Sequence, residues 1–81
     1  MIYILDLLNK IKWDKRENQE HYLIYYQDRI ENKLREIRYT DIISIEPPFM
    51  LLNINKKITY IPLHRIKEIR KQGKMAWKRK I

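Results

Sequence analysis

Ile4, Leu7, Leu8 and Ile11 recur at the i, i+3, i+4, i+7 spacing of one helical face, with Asp6, Asn9 and Lys10 on the other side. The spacing predicts a short amphipathic helix over about residues 2–12. No good N-cap precedes it, so packing must supply most of its stability. The run from Asp14 to Glu20 is fully polar and reads as a loop.

The period then changes from helical to alternating. In His21–Arg29, Tyr22, Ile24 and Tyr26 take one face and Leu23 and Tyr25 the other, as in a central strand covered on both sides. Lys33–Tyr39 sets Leu34 and Ile37 among Arg and Glu, which suits a half-exposed strand. A turn near Glu31-Asn32 makes the two a hairpin. Thr40-Asp41-Ile42-Ile43 is ambiguous, with Thr40 or Asp41 able to cap a single helical turn. Pro47-Pro48 interrupts regular structure. Phe49–Ile54 and Lys57–Ile61 are strands around an Asn55-Lys56 turn.

The last segment has two readings. Pro62, Leu63, Ile66 and Ile69, with Gly73 beyond, fit a short helix. The alternation of Met75 and Trp77 with Ala76 and Lys78 fits instead a hairpin of Lys67–Lys71 with Met75–Arg79 about Gln72-Gly73-Lys74. The alternation favours the hairpin, with a non-strand turn around Leu63–Ile66. The expected architecture is α+β: an N-terminal helix on a small, strongly twisted antiparallel sheet of five or six strands that can partly close into a barrel.

An 81-residue chain has room for one domain and one small core. It has no Cys, which excludes disulfides, thiolate catalysis and Cys-ligated zinc. No apolar run reaches membrane-spanning length and the N-terminus lacks a signal-peptide pattern, so a soluble, cytoplasmic protein is expected.

Charge changes the picture most. The net charge is +8, and the segment from His64 onward holds eight basic residues against the single acid Glu68. Such concentrated charge attracts polyanions, of which nucleic acid is the commonest. A charge run alone is a weak motif, because a solvated face produces the same pattern. The Arg and aromatic content of this segment favours RNA.

Four local patterns carry a family resemblance: Leu8-Asn9-Lys10-Ile11-Lys12-Trp13-Asp14, Tyr25-Tyr26-Gln27-Asp28-Arg29, Ile61-Pro62-Leu63-His64-Arg65-Ile66 and Gly73-Lys74-Met75-Ala76-Trp77-Lys78-Arg79. Their order and spacing resemble the RNA cyclic group end recognition domain, found in small, mainly archaeal proteins and fused to RNA-processing modules elsewhere. The resemblance implies RNA binding, with a proposed preference for 2′,3′-cyclic phosphate ends. It maps onto Trp13, Asp28, Arg29, His64, Arg65, Trp77 and Arg79. Lys15 departs from the pattern where many relatives have Pro, and Met75-Ala76 replaces a more β-branched pair.

The candidate RNA- and phosphate-binding residues are Arg29, His64, Arg65, Arg70, Lys74, Trp77 and Arg79. A guanidinium presents a planar fork of donors to a phosphate, and a neutral His adds one more. In the alternative reading His64 bonds a backbone carbonyl and Arg65 pairs with a carboxylate such as Asp28. For Asp28 an ion pair that organises the turn is preferred, since a carboxylate repels phosphate; a ribose contact or the orienting of Arg65 stays open. Trp77, among Lys74, Lys78 and Arg79, is the expected base-stacking platform, and Trp13 is expected mainly in the core. Catalysis is not expected: His21 and His64 are the only histidines, and metal, paired-carboxylate and phosphate-loop motifs are missing. No cofactor and no metal are implied. The alternatives are a small phosphoesterase using His64 and a basic adaptor for proteins or membrane surfaces.

Overall fold

The computed structural model describes residues 3–79. Helix α1, Ile4–Trp13, opens without a side-chain cap and buries Leu7, Leu8 and Ile11, the face that the spacing predicts. Seven strands follow: β1 Tyr22–Asp28, β2 Lys33–Arg38, β3 Ile42–Glu46, β4 Phe49–Ile54, β5 Lys57–Pro62, β6 Ile66–Lys71 and β7 Lys74–Lys78. The α+β class holds, but the strands form two antiparallel sheets, ordered β2-β1-β6-β7 and β3-β4-β5. The expected helix packed on antiparallel strands is found; the described strands number seven and divide into two sheets rather than closing on one another.

The division has a local cause. The chain leaves the larger sheet after β2 through a 3-10 turn at Tyr39–Asp41 and returns before β6 through another at Leu63–Arg65. Each turn breaks the ladder, so strands adjacent in sequence there belong to different sheets. Strand β3 has no counterpart in the sequence reading. A register shift between Ile42 and Ser44 spoils its alternation at Ile43, which hides the strand from a period-two reading. The final hairpin forms as expected, closed by Gln72-Gly73 with both residues at positive φ. Asn55 and Lys56 close β4–β5 the same way, at φ 51° and 65°.

The core lies between α1 and the facing sides of both sheets. Leu8, Ile11, Ile24, Met50, Leu52, Ile66 and Ile69 are fully buried there. Both crossover turns contribute, through Tyr39 and Leu63. The buried Tyr39 hydroxyl donates to the Leu8 carbonyl at 2.7 Å and so fixes α1 to the first crossover. β1 is central, as expected, but only its Tyr22–Ile24 side is deeply buried; Leu23 and Tyr25 are partly exposed.

Two changes test this account. Tyr39→Phe removes the bond to Leu8 and should cost about 1 kcal/mol, a typical net hydrogen-bond contribution. Lys56→Gly relieves a positive φ that disfavours a side chain and should raise the melting temperature by a few degrees, on the order of 0.5 kcal/mol. Thermal melts of both variants read the two signs.

Candidate functional site

The second crossover places the central part of the predicted site. Pro62 holds an extended backbone at φ −61°, and Leu63 turns into the core. The Leu63 N–H donates to the Pro48 carbonyl at 2.9 Å, fastening the turn to the Pro47-Pro48 corner. From the other side, Arg79 donates through Nε to the Ile66 carbonyl at 2.9 Å and through Nη2 to the Leu63 carbonyl at 3.1 Å. These bonds occupy two of five guanidinium donors. Arg79 is therefore a clamp on this corner as well as a charge beside it.

Between the fastened carbonyls stand His64, exposed, and Arg65, half-exposed. Among the described residues neither side chain has a hydrogen-bond or ion-pair partner. The alternative in which Arg65 pairs with Asp28 does not form. Asp28 instead accepts from Arg35 Nε and from the Ile30 N–H at 2.8 Å, organising the β1–β2 turn. The bond from Arg35, aided by that N–H, holds its carboxyl below the usual Asp range. Arg29 projects exposed from the same turn.

Strand register decides which candidates meet. Tyr26 lies opposite Ile66, so the end of β1, with Asp28 and Arg29, sits beside the start of β6, with Arg65. Arg29, His64, Arg65 and Arg79 thus share one end of the larger sheet. Arg70 and Lys74 do not. Arg70 pairs with Leu23 near the opposite end, and Lys74 with Lys71 at the β6–β7 turn. Five residues of extended chain separate Arg65 from Arg70 by about 17 Å. Arg70 is also engaged, donating to Glu68 at 2.9 Å and lying 5.0 Å from the Tyr25 ring centre.

The tryptophans exchange their expected environments. Trp77 faces Ile69 across the ladder and packs half-buried against the core, with the Arg79 guanidinium 5.1 Å from its ring centre. Trp13, expected in the core, is 74% exposed at the end of α1, with Lys12 Nζ 5.1 Å from its ring centre. The helical stripe Ile4-Leu7-Leu8-Ile11 already fills the buried face, and Trp13 falls off it. Trp13, Lys15, Asn18 and Gln19 are among the residues lining an open depression of about 580 Å³.

The histidines are apart. The His21 carbonyl accepts from the Gln72 N–H at the β6–β7 turn, whereas His64 precedes the opposite end of β6. Among the described residues no group of three or more His, Cys, Asp or Glu side chains is placed to hold a metal ion, and no helix is long and apolar enough to cross a membrane.

One surface escaped the sequence reading. Phe49, Ile58 and Tyr60 are exposed on the smaller sheet. Ile58–Pro62 is apolar on both faces apart from Thr59, so composition alone does not say which face meets water.

The fastened corner coincides with the Ile61–Ile66 motif, and the match is not confined to it. The model of the MJ1316 RNA cyclic group end recognition domain matches residues 1–79. The chain belongs to this family. A UPF0248 protein of Saccharolobus islandicus is 35% identical over 79 residues, covering 94% of this chain and 98% of its own. A UPF0248 protein of Saccharolobus solfataricus is 35% identical, covering 94% and 95%. One from Metallosphaera sedula is 36% identical over 76 residues, covering 94% and 91%. No solved structure matches the chain. The motifs shared with the RNA cyclic group end recognition domain thus fall on structurally different duties here: Arg79 clamps, Asp28 orders a turn, and His64 and Arg65 stay open.

Placement of the two rings makes a forecast. Trp13→Ala should leave stability within about 0.5 kcal/mol, as at other exposed sites. Trp77→Ala should cost about 2–3 kcal/mol, less than a fully buried ring. Urea unfolding of each variant measures the difference. Asp28, with its lowered folded value, adds stability above the unfolded carboxylate range that is lost as pH falls below about 4. Asp28→Asn should flatten that part of the melting profile.

Proposed function

We propose that this chain binds the ends of single-stranded RNA without turning them over, and holds a terminal phosphate, 2′,3′-cyclic by preference, at the His64–Arg65 corner. The observation that carries this reading is the corner itself. Its backbone is fastened on both sides by Pro48 and Arg79, while its two ligand-type side chains have no hydrogen-bond or ion-pair partner among the described residues. A cyclic phosphate carries one negative charge. One guanidinium charge balances it, and the His64 ring offers a further N–H donor. Arg29 and Arg79 flank the site, and Asp28 acts by ordering the turn that carries Arg29. Arg70 and Lys74, at the far end, attract the RNA backbone over the distance of a Debye length rather than touching the terminal group. The family description, RNA cyclic group end recognition, supports the same reading. So does the charge of +8, gathered mostly after Leu63. The cytoplasm, where RNA ends arise in quantity, is the proposed location.

The separation of His21 from His64 weighs against a two-histidine phosphoesterase, since acid and base must meet across one scissile bond. Binding through a lipid-surface or protein adaptor role would not distinguish RNA ends.

The test uses one short RNA ending in 3′-hydroxyl, 3′-phosphate or 2′,3′-cyclic phosphate, titrated by fluorescence anisotropy. Affinity should fall with salt at a log–log slope near −3 if about four phosphates are contacted. Arg65→Ala should weaken phosphate-ended RNAs most, by about 1.5–3 kcal/mol, and erase the difference between ends. Termini should survive prolonged incubation unchanged. Equal loss for all three ends, or end conversion that vanishes in His64→Ala, would reject the reading.

A further inference from the structure

The outer face of the β3-β4-β5 sheet is unusual for so charged a chain. Met50, Leu52 and Ile61 point into the core. Alternation therefore turns Phe49, Leu51 and Asn53 of β4 and Ile58, Tyr60 and Pro62 of β5 outward. Register aligns them as Phe49 opposite Pro62, Leu51 opposite Tyr60 and Asn53 opposite Ile58, with Ser44 and Glu46 of β3 completing the rows. Tyr60 is 63% exposed, Ile58 64% and Phe49 40%. The Phe49 and Tyr60 rings meet edge to face with centroids 6.3 Å apart. Glu46 is the one charged residue in these rows, and it accepts a hydrogen bond from Ser44.

The position of this face matters as much as its composition. Strand β5 runs directly from Tyr60 through Pro62 into the His64–Arg65 turn. The Leu63–Pro48 bond holds that turn against the corner from which Phe49 emerges. At its other end β5 begins at Lys57, preceded by Lys56. A largely apolar strip about 13 Å long, carrying the Phe49 and Tyr60 rings, thus lies between two cationic ends.

We propose that this face, through Tyr60 and Phe49, is the platform on which bases of a single-stranded RNA stack once its end lies at His64 and Arg65. The inference rests on the RNA reading above and adds to it a base-contacting surface. Single-stranded nucleic acid is held by such a pairing of aromatic faces, which accept any base, with cations that follow the backbone. Here Lys56, in the β4–β5 turn at the far end of the strip, would meet phosphates leading away from the end. A second copy of the chain fits less well. The strip covers on the order of 200 Å² in plan, short of the roughly 800 Å² per partner in a stable interface. Joining two copies would also bring two chains of charge +8 together. The proposal moves the stacking platform from Trp77, whose ring packs on the core, to side chains that face water.

The experiment compares Tyr60→Leu, Phe49→Leu and Tyr60→Phe in anisotropy titrations with the 3′-hydroxyl and 2′,3′-cyclic phosphate forms of one short unstructured RNA. Thermal melts of the same samples and sedimentation of the free proteins accompany it. Leu preserves an apolar, strand-compatible side chain, so folding is retained. Each Leu variant should lose about 5- to 150-fold in affinity, equally for both ends, while Tyr60→Phe stays near wild type. Wild-type affinity in both folded Leu variants would overturn the platform. If end discrimination persists alongside it, end recognition stands without stacking. Loss in the Leu variants with no end discrimination in the wild type would keep the platform and reject end recognition. No binding of either RNA by the wild type rejects both. A dimer that the Leu variants dissociate, with RNA affinity unchanged, would assign the face to a second copy and overturn the proposal.

Discussion

Two sheets that share one core require the chain to cross between them, and each crossing leaves peptide groups without ladder partners. Unpaired peptide groups are costly where water is excluded, so the crossing must find donors and acceptors elsewhere. At Leu63–Arg65 they come from far along the chain. Pro48 accepts the Leu63 N–H, and the last described residue, Arg79, donates to the Leu63 and Ile66 carbonyls. The corner is thus held by residues on both sides of it in sequence. The first crossing is anchored differently, by the Tyr39 side chain, which is inserted against α1 and donates to the Leu8 carbonyl.

That constraint is what the proposed binding at this corner relies on. With Leu63 buried and the flanking carbonyls satisfied, the backbone that carries His64 and Arg65 is held by groups that need no ligand. A site ordered in advance loses less conformational entropy when it binds. It also explains why Arg79 is a poor first choice as ligand. Most of its geometry is committed to backbone oxygens and to the Trp77 ring. Removing it would disturb the corner before it removed a contact.

The sequence made the helix, six of the seven described strands and three of their four hairpin turns legible, because local chemistry dictates them: a 3.6-residue stripe, alternating runs, and Asn or Gly where φ turns positive. Strand β3 was illegible because its irregular register places Ile42 and Ile43 consecutively, where alternation fails. The division into two sheets was illegible because it depends on where Tyr39 and Leu63 point, which no period reports. The same holds for the tryptophans. Trp13 lies next to a stripe that is already complete, and Trp77 lies in a charged segment but opposite Ile69, where it packs on the core. Composition around a residue describes its neighbours in sequence, whereas register selects its neighbours in space. Of the candidate site, Arg29, His64, Arg65 and Arg79 converge because hairpin pairing brings β1's end to β6's start; Arg70 and Lys74 share only the charge.

Diffuse charge and fixed geometry have separable roles in this molecule. The +8 charge acts at long range on any polyanion, strengthens capture, and weakens as salt rises. It carries no information about an RNA end, since every nucleotide presents a phosphate. Discrimination requires a contact whose energy depends on the terminal group, and so a donor set fixed in position by something other than the ligand. The partly paired basic residues Lys33, Arg35 and Arg70 serve poorly, because a ligand would have to displace Glu31, Asp28 or Glu68 to reach them. The unpartnered pair on the fastened turn has no such competitor. On the proposed reading, selectivity for an RNA end would concentrate where the chain changes sheets, while the rest of the basic surface would set how quickly and how strongly any RNA arrives.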